Sequence, residues 1–495
     1  MSTVTAPRDS VLQALRSPRI LTREALAGLV VAIALIPEAI SFSIIAGVDP
    51  RVGLFSSFVM AVSIAVLGGR PAMISAATGA VALVIAPVAR EHGMDYFIAT
   101  VILAGLVQLT LGALGVTKLL RFIPRSVMVG FVNALAILVF LAQLPHLFGV
   151  PWLVYPLVAV GLAILVFLPR LTKVVPAPLV TIVVVTGAAI VFGLSVPTVG
   201  DQGELPSSLP ELFIPNVPLT WDTLAIIAPY ALAMALVGLL ESLMTAKLVD
   251  DVTDTPSSKT RESLGQGAAN VISGFLGGMG GCAMIGQTMI NVKVSGARTR
   301  ISTFLAGVFL LVLVVALGDV VALIPMAALV AVMVMVCVAT FDWHSIRPST
   351  LRRMPLGETI VMVLTVAVVV ATHNLAIGVI AGVIVAMVIF ARRVAHFATV
   401  TRVEATEEMV RYQVDGELFF ASSNDLTTQF AYADDPSRVV IDMSRSHVWD
   451  ASTVAALDAI VTKYERHGST VELVGMNEAT TAFHGRLTGR LGGEG

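Results

Sequence analysis

Two carboxylates fall where carboxylates are rarely found. Glu38 follows LVVAIALIP and Glu241 follows LAMALVGLL, each inside a long apolar run. An acid at bilayer depth costs about 2.5 kcal/mol or more unless paired or hydrated, so such residues are usually functional. Thr245 lies one helical turn beyond Glu241, on the same helix face. A carboxyl stripped of water favours its neutral form, which makes Glu241 a candidate for taking up and releasing a proton. Glu and Thr oxygens at that spacing could alternatively ligate Na⁺. Glu38 follows Pro37, which removes a backbone donor and kinks a helix; Glu38 either lines a cavity or pairs with a neighbour. Phe42, one turn on, either walls that cavity or packs against core or lipid.

Each acid is followed by a glycine-rich break. The first is GGRPAMISAATGAVALVIAP, Gly68–Pro87; the second is GGMGGCAMIGQTMINVKVSGARTR, Gly277–Arg300. Both run from a glycine pair into Ala-Met-Ile and a small residue, Ser75 or Gly286. Each continues as an apolar segment too short to cross about 30 Å of hydrocarbon. Short, interrupted segments in matching positions of two halves point to a transporter's central site. The start of a half-helix carries free N–H groups and roughly half a positive charge, so two facing starts make an anion site without arginine. Ser75, Ala76, Ala77 and Thr78 in one break, and Ile285, Gly286, Gln287 and Thr288 in the other, are expected to present these amides. The side chains of Ser75, Thr78, Gln287 and Thr288 would add donors. Lys293 is read as snorkelling to an interface. Cys282 and Cys337 are read as core packing, with no disulfide framework or metal pair.

The elements that must position these residues are membrane helices. Of 495 residues, 56% are hydrophobic and 13% charged, and the mean hydropathy is +0.90. A net charge of −2 gives no electrostatic case for nucleic acid. Fourteen apolar stretches between residues 24 and 391 predict fourteen spans. Lys118, Arg121, Arg125, Arg170, Lys173, Arg352, Arg353, Arg392 and Arg393 fall in short loops on the side of the N-terminal arginines (Arg8, Arg16, Arg19, Arg23), which the positive-inside rule makes cytoplasmic. The proline-rich loop Ser195–Thr220 has no Lys or Arg and is placed outside. It separates seven spans (24–196) from seven (222–391), and an odd number per half makes the repeat inverted. Residues 1–23 are a cytoplasmic segment, 24–395 the membrane domain, and 396–495 a soluble, cytoplasmic α/β module. In that module VRYQVDGELFFAS reads as two strands around an Asp-Gly turn, and Ser452 as the N-cap of the following helix. His373-Asn374 is read as a solvated corner, and Asn133, Asn270 and Asn291 as interhelical glue. No catalytic triad, zinc spacing or nucleotide motif is present, so neither an enzyme nor a bound cofactor or metal is expected.

These residues resemble the sulfate permease (SulP) family of anion transporters. RESLGQGAANVISGFLGG, Arg261–Gly278, is similar to that family's signature after its eighth span. IPEAISFS resembles the first-span pattern Pro-Gln-x-x-Ala-Tyr-Ala, with Glu38 for Gln and Phe42 for Tyr, a variant similar to the bicarbonate-type and related bacterial branches. SAATG resembles Ser-x-Gly-Pro-Thr, with Ala77 and Thr78 replacing Gly-Pro. QTMIN followed by SGARTR resembles a tenth-span motif that often begins with Arg, here Gln287. That departure points away from a strongly charged anion such as sulfate. The module after Arg393 is similar to a sulfate transporter and anti-sigma-factor-antagonist (STAS) domain. The resemblance implies the seven-plus-seven repeat divided into core and gate, and a site between the third and tenth half-helices facing the first and eighth spans. It also implies a homodimer and a regulatory STAS module, with Ser452 a weak phosphorylation candidate. The expected activity is secondary active transport of a small anion (carboxylate, dicarboxylate, bicarbonate or sulfate) across the plasma (inner) membrane, coupled to H⁺ with Glu241 as coupling residue. The alternatives are a Na⁺-coupled bicarbonate symporter, a nucleobase–proton symporter of the same fold, an uncoupled anion channel and a membrane-anchored STAS signalling protein.

Overall fold

The computed structural model describes residues 11–115, 123–171, 176–395 and 398–489. Arg8, Lys118, Arg121 and Lys173 lie outside the described residues. The chain forms two compact units, 1–383 and 384–495.

Hydrocarbon offers no hydrogen-bond partner, so each apolar run satisfies its own backbone as a helix. In order these are α1 (Val11–Arg16), α2 (Pro18–Ala46) and α3 (Pro50–Leu67), the two-residue strand β1 (Ser75–Ala76), then α4 (Gly79–Ala113), α5 (Arg125–Leu141), α6 (Val154–Leu171) and α7 (Ala177–Val191). After the long loop come α8 (Trp221–Thr253), α9 (Lys259–Phe275), β2 (Cys282–Ala283) and α10 (Ile285–Met289), which continues as a π-turn over Ile290–Val294. The series ends with α11 (Arg300–Ala316), α12 (Gly318–Ala322), α13 (Met326–Thr340), α14 (Pro348–Arg353), α15 (Leu356–Thr372) and α16 (Leu375–Ala395). Among the described residues, seven helices are long and apolar enough to cross a membrane, and four shorter apolar helices accompany them. The difference from fourteen segments has physical causes. Helix α4 carries the expected third and fourth segments in one element, bent at Gly93 (φ 83°). Helix α9 begins KTRES and is too polar to count. Helix α10 with its π-turn spans only about 15 Å.

The helices pack as two groups. In the first, α4 lies against α8 and α9, α11 lies against α2 and α3, and α3 meets α9. Small residues permit this closeness. A Cβ on Gly105 of α4 would stand 2.7 Å from the Gly267 carbonyl of α9, and one on Gly267 would stand 2.7 Å from the Gly105 carbonyl. Buried amides then hold the group together. Asn270 donates to Gln108 at 2.8 Å and accepts from the Gly281 N–H at 2.8 Å. Asn291 donates to the Ala72 carbonyl and to Ser302. Arg261 and Arg300 donate to carbonyls at the end of α3, where a helix leaves acceptors free. In the second group α5 packs on α13 and α15, and α6 on α7 and α13. There Asn133 donates to Ser345.

The second unit contains a four-stranded sheet, β3 (Thr399–Ala405), β4 (Met409–Leu418), β5 (Arg438–Val448) and β6 (Thr470–Val474), in that order. β3 is antiparallel to β4, and the other pairs are parallel. Helices α17 (Phe420–Leu426), α18 (Ala451–Arg466) and α19 (Glu478–Leu487) complete it. Its core includes Val410, Val414, Ile441, Leu457 and Tyr464. The expected Asp415-Gly416 hairpin is absent. β4 runs through both residues, and a register shift next to Asp415 and a φ of 111° at Gly416 absorb the dipeptide. Asp450, rather than Ser452, caps α18 by accepting from the Thr453 N–H at 3.0 Å; Ser452 is exposed in the first turn.

Because the Gly105–Gly267 crossing leaves no room for a side chain, Gly267→Val should lower the melting temperature in detergent. Gly187→Ala, in α7 with nothing within 4 Å of the added Cβ, should leave it unchanged. Equal effects in scanning fluorimetry would refute the close-crossing account.

Candidate functional site

The site starts from two antiparallel dipeptides. Ser75 pairs with Ala283 and Ala76 with Cys282, and a Cβ on Gly281 would stand 1.9 Å from the Ala76 carbonyl. This crossing sends α4 and α10 outward from one point. Thr78 caps α4 by accepting from the Val81 N–H, and the first amides of both helices have no intrahelical acceptor.

Around that point lies a cavity of about 400 Å³. Glu38 and Phe42 reach it from α2, Glu241 from α8, and Thr78, Gly79, Ile285, Gly286 and Gln287 from the two helix starts. Its opposite wall is apolar and comes from the second helix group: Phe131, Leu135 and Val139 of α5, and Val336 and Cys337 of α13. The two carboxylates are 6% and 8% exposed and, among the described residues, form no ion pair. Neutral donors hold them instead. Gln287 Nε2 donates to Glu38 Oε1 at 2.5 Å, and the Cys282 thiol donates to Glu241 Oε2 at 2.9 Å. Cys282 Sγ also lies 3.1 Å from Thr78 Oγ1, so a chain of polar groups joins Glu241 to the cap of α4.

The structure brings together seven of the twelve membrane residues expected at the site. The others are buried beside it, their polar groups already used. Ser75 accepts from Gln266 at 2.7 Å, and the Ala77 N–H donates to Ser57. Ala76 is a strand residue. The Thr288 hydroxyl accepts from the Ile74 N–H. Thr245 donates to the Glu241 backbone carbonyl at 2.8 Å, one turn back, and does not line the cavity. Lys293 is exposed. His373 ends α15 in the left-handed region (φ 53°), and Asn374 Oδ1 caps α16. Cys282 is the residue that sequence reasoning passed over. A lone cysteine among alanines and glycines carries no pattern, and only the strand register sets it between Thr78 and Glu241.

The sulfate permease family model matches residues 21–159 and 151–367, and the STAS domain model matches 401–483. The chain belongs to the sulfate permease family. The putative sulfate transporter YbaR of Bacillus subtilis is 53% identical over 461 residues, 93% of this chain and 96% of that protein. The bicarbonate transporter BicA of Picosynechococcus is 28% identical, over 74% of this chain and 70% of that one. Among solved structures, the transmembrane domain of a cyanobacterial BicA matches with a TM-score of 0.66 at 25% identity, covering 73% of this chain and 97% of that one. Murine Slc26a9 shares the fold, with a TM-score of 0.81 at 16% identity over 97% of this chain and 88% of that one. This sulfate permease protein is therefore a multi-pass membrane protein with a C-terminal STAS domain.

Losing the thiol donor would leave a buried acceptor unpaired, a cost of about 1–3 kcal/mol. Cys282→Ala should lower stability by that amount, and Cys282→Ser, which keeps a donor, should restore most of it. Unfolding of both variants in detergent, followed by tryptophan fluorescence, measures the difference.

Proposed function

We propose that this protein is a secondary active transporter that carries a small anion together with H⁺. The observation that carries the reading is the cavity itself. It collects two buried acids and two helix starts from one packing group, and faces a smooth apolar wall from the other. The charged ligands sit on one body, while the wall opposite is mostly hydrocarbon, with Cys337 and Thr340 as its polar side chains, an arrangement suited to one body sliding past the other.

The packing supports an inverted repeat of seven plus seven. Counting α4 as two spans, and α9 and α10 as one each, gives fourteen with α2, α3, α5 to α8, α11, α13, α15 and α16. Exchanging the halves maps the contacts of α4 with α8 and α9 onto those of α11 with α2 and α3. The core would be 24–117 with 222–318, and the gate the remaining spans, within a membrane domain of 24–395 followed by the STAS domain at 396–495. With positive residues inside, the cavity opens toward the cytoplasm. Assembly as a homodimer in the plasma membrane, with the STAS domain cytoplasmic, follows the family. Ser452 is exposed enough to be modified.

Glu241 is the coupling group in this mechanism. Its carboxyl shares the moving body with the anion, so adding a proton to it offsets the charge of the cargo during the crossing. A proton is favoured over Na⁺ because Glu241 meets a thiol, and the Thr245 hydroxyl points to a backbone carbonyl. Sodium takes a shell of oxygens, and that shell is not assembled here.

In proteoliposomes, labelled bicarbonate, sulfate, succinate and lactate should each be tested under an inward pH gradient, an inward Na⁺ gradient or neither. We expect an inward proton gradient to drive concentrative uptake of at least one anion. Glu241→Gln should reduce that uptake to the level of empty liposomes while leaving anion exchange measurable. Uptake driven only by Na⁺ would transfer coupling to a cation site. No flux of any anion would overturn the transporter reading.

A further inference from the structure

The lining of the cavity says which anion fits, on the premise that the cavity is a transport site. Among the described residues that line it there is no Lys, Arg or His. The start of a long helix such as α4 contributes about half a positive charge, and the five-residue α10 contributes less. Even with both acids neutral, that field balances at most about one negative charge and leaves a dianion uncompensated in a buried site, where an unpaired charge is costly. With either acid ionised, the excess is larger. The site is therefore built for a monoanion.

Size and polarity go further. A cavity of about 400 Å³ equals roughly a dozen water shares of ~30 Å³, well beyond a compact oxyanion. Most of its wall is hydrocarbon: Phe131, Leu135, Val139 and Val336 line it from α5 and α13, and Met244 and Ile290 from α8 and the π-turn. A small inorganic ion would leave this surface wetted, whereas an alkyl group would cover it. The polar end and the apolar end together describe an amphiphilic guest. We infer that the protein takes a monocarboxylate with a short hydrocarbon tail, its head at the start of α4 and beside Gln287, its tail against α5 and α13.

Calorimetric titration of the full-length protein in nanodiscs, at matched ionic strength, tests this with formate, butyrate, hexanoate and sulfate. Burying each methylene at about 0.8 kcal/mol predicts up to about fourfold tighter binding per carbon, so over the five added carbons hexanoate should exceed formate by up to about a thousandfold. Sulfate should bind more weakly than butyrate. Location is read from Cys337, which lines the cavity. Hexanoate should slow its modification by a small maleimide, and Cys337→Ser should remove the signal. A flat chain-length series, or sulfate binding as tightly as hexanoate, overturns the inference and leaves the transporter reading intact. If no anion binds and none crosses proteoliposomes, both fall together.

Discussion

Everything at the candidate site depends on one close backbone crossing. The dipeptides Ser75-Ala76 and Cys282-Ala283 lie antiparallel at a distance that Gly281 alone makes tolerable, because a Cβ there would overlap the Ala76 carbonyl. Hydrogen bonds at Ile74 extend the pairing at one end. The Met284 N–H donates to the Ile74 carbonyl, and the Ile74 N–H donates to Thr288. A chain that stops being helical at membrane depth must satisfy its peptide groups within the protein. Here the two breaks satisfy each other. Neither break is viable without its partner, and their mutual pairing fixes where α4 and α10 begin and therefore where their free amides point.

The surrounding polar residues extend the same accounting. Ser56 bonds the Gly280 carbonyl, Ser242 accepts from the Ala283 N–H, and Asn270 brackets Gly281 with a donor and an acceptor. Each sits on a different helix of the first group, so the crossing is clamped from several directions. This explains why Ser75 and Thr288 are absent from the cavity although both looked like ligands. Their hydroxyls belong to the clamp. The groups left facing the cavity are those that the clamp does not use: Glu38, Glu241, Thr78 and Gln287.

Much of this was legible in the chain, because membrane burial makes polar residues and glycine breaks conspicuous. Glu38 and Glu241 stood out by cost, and the two breaks by their interruption of apolar runs; the cavity contains both acids and the starts of both helices. What was illegible has a common cause. Whether a hydroxyl near a break points at solvent or at a neighbouring strand depends on register across some two hundred residues of sequence, and no local pattern encodes it. The same applies to Cys282, whose position opposite Ala76 makes it the donor to Glu241. The apolar wall was hidden for a different reason. Phe131, Leu135 and Val336 look like any lipid-facing or core side chain, and only packing separates those roles. In the STAS domain, an Asp-Gly pair that favours a hairpin was overridden by the long parallel pairing of β4 with β5.

The asymmetry between the two faces of the cavity has a mechanical consequence. Across most of the boundary between helix groups the contacts are apolar, and apolar contacts are non-directional, so sliding exchanges one set for another at little cost. Hydrogen bonds would instead hold a single register. Among the described residues, the loop after α7 carries bonds to both groups. Its start is pinned to the second group, with the Val199 N–H donating to the Ile324 carbonyl and the Met326 N–H donating to the Pro197 carbonyl, both at 2.9 Å. A few residues later it is pinned to the first group, where Glu204 pairs with Arg51 at 2.5 Å and the Phe213 N–H donates to the Phe275 carbonyl at 2.7 Å. Between those anchors lies Gly203, with φ of 143°, a conformation that glycine adopts readily. Gly203 packs closely there, since a Cβ on it would stand 2.3 Å from Asp49 Oδ1, so the turn ties the two groups together at a defined point. The chain thus places its rigid chemistry on one body and its smooth surface on the other, with a polar tether in a turn at the edge.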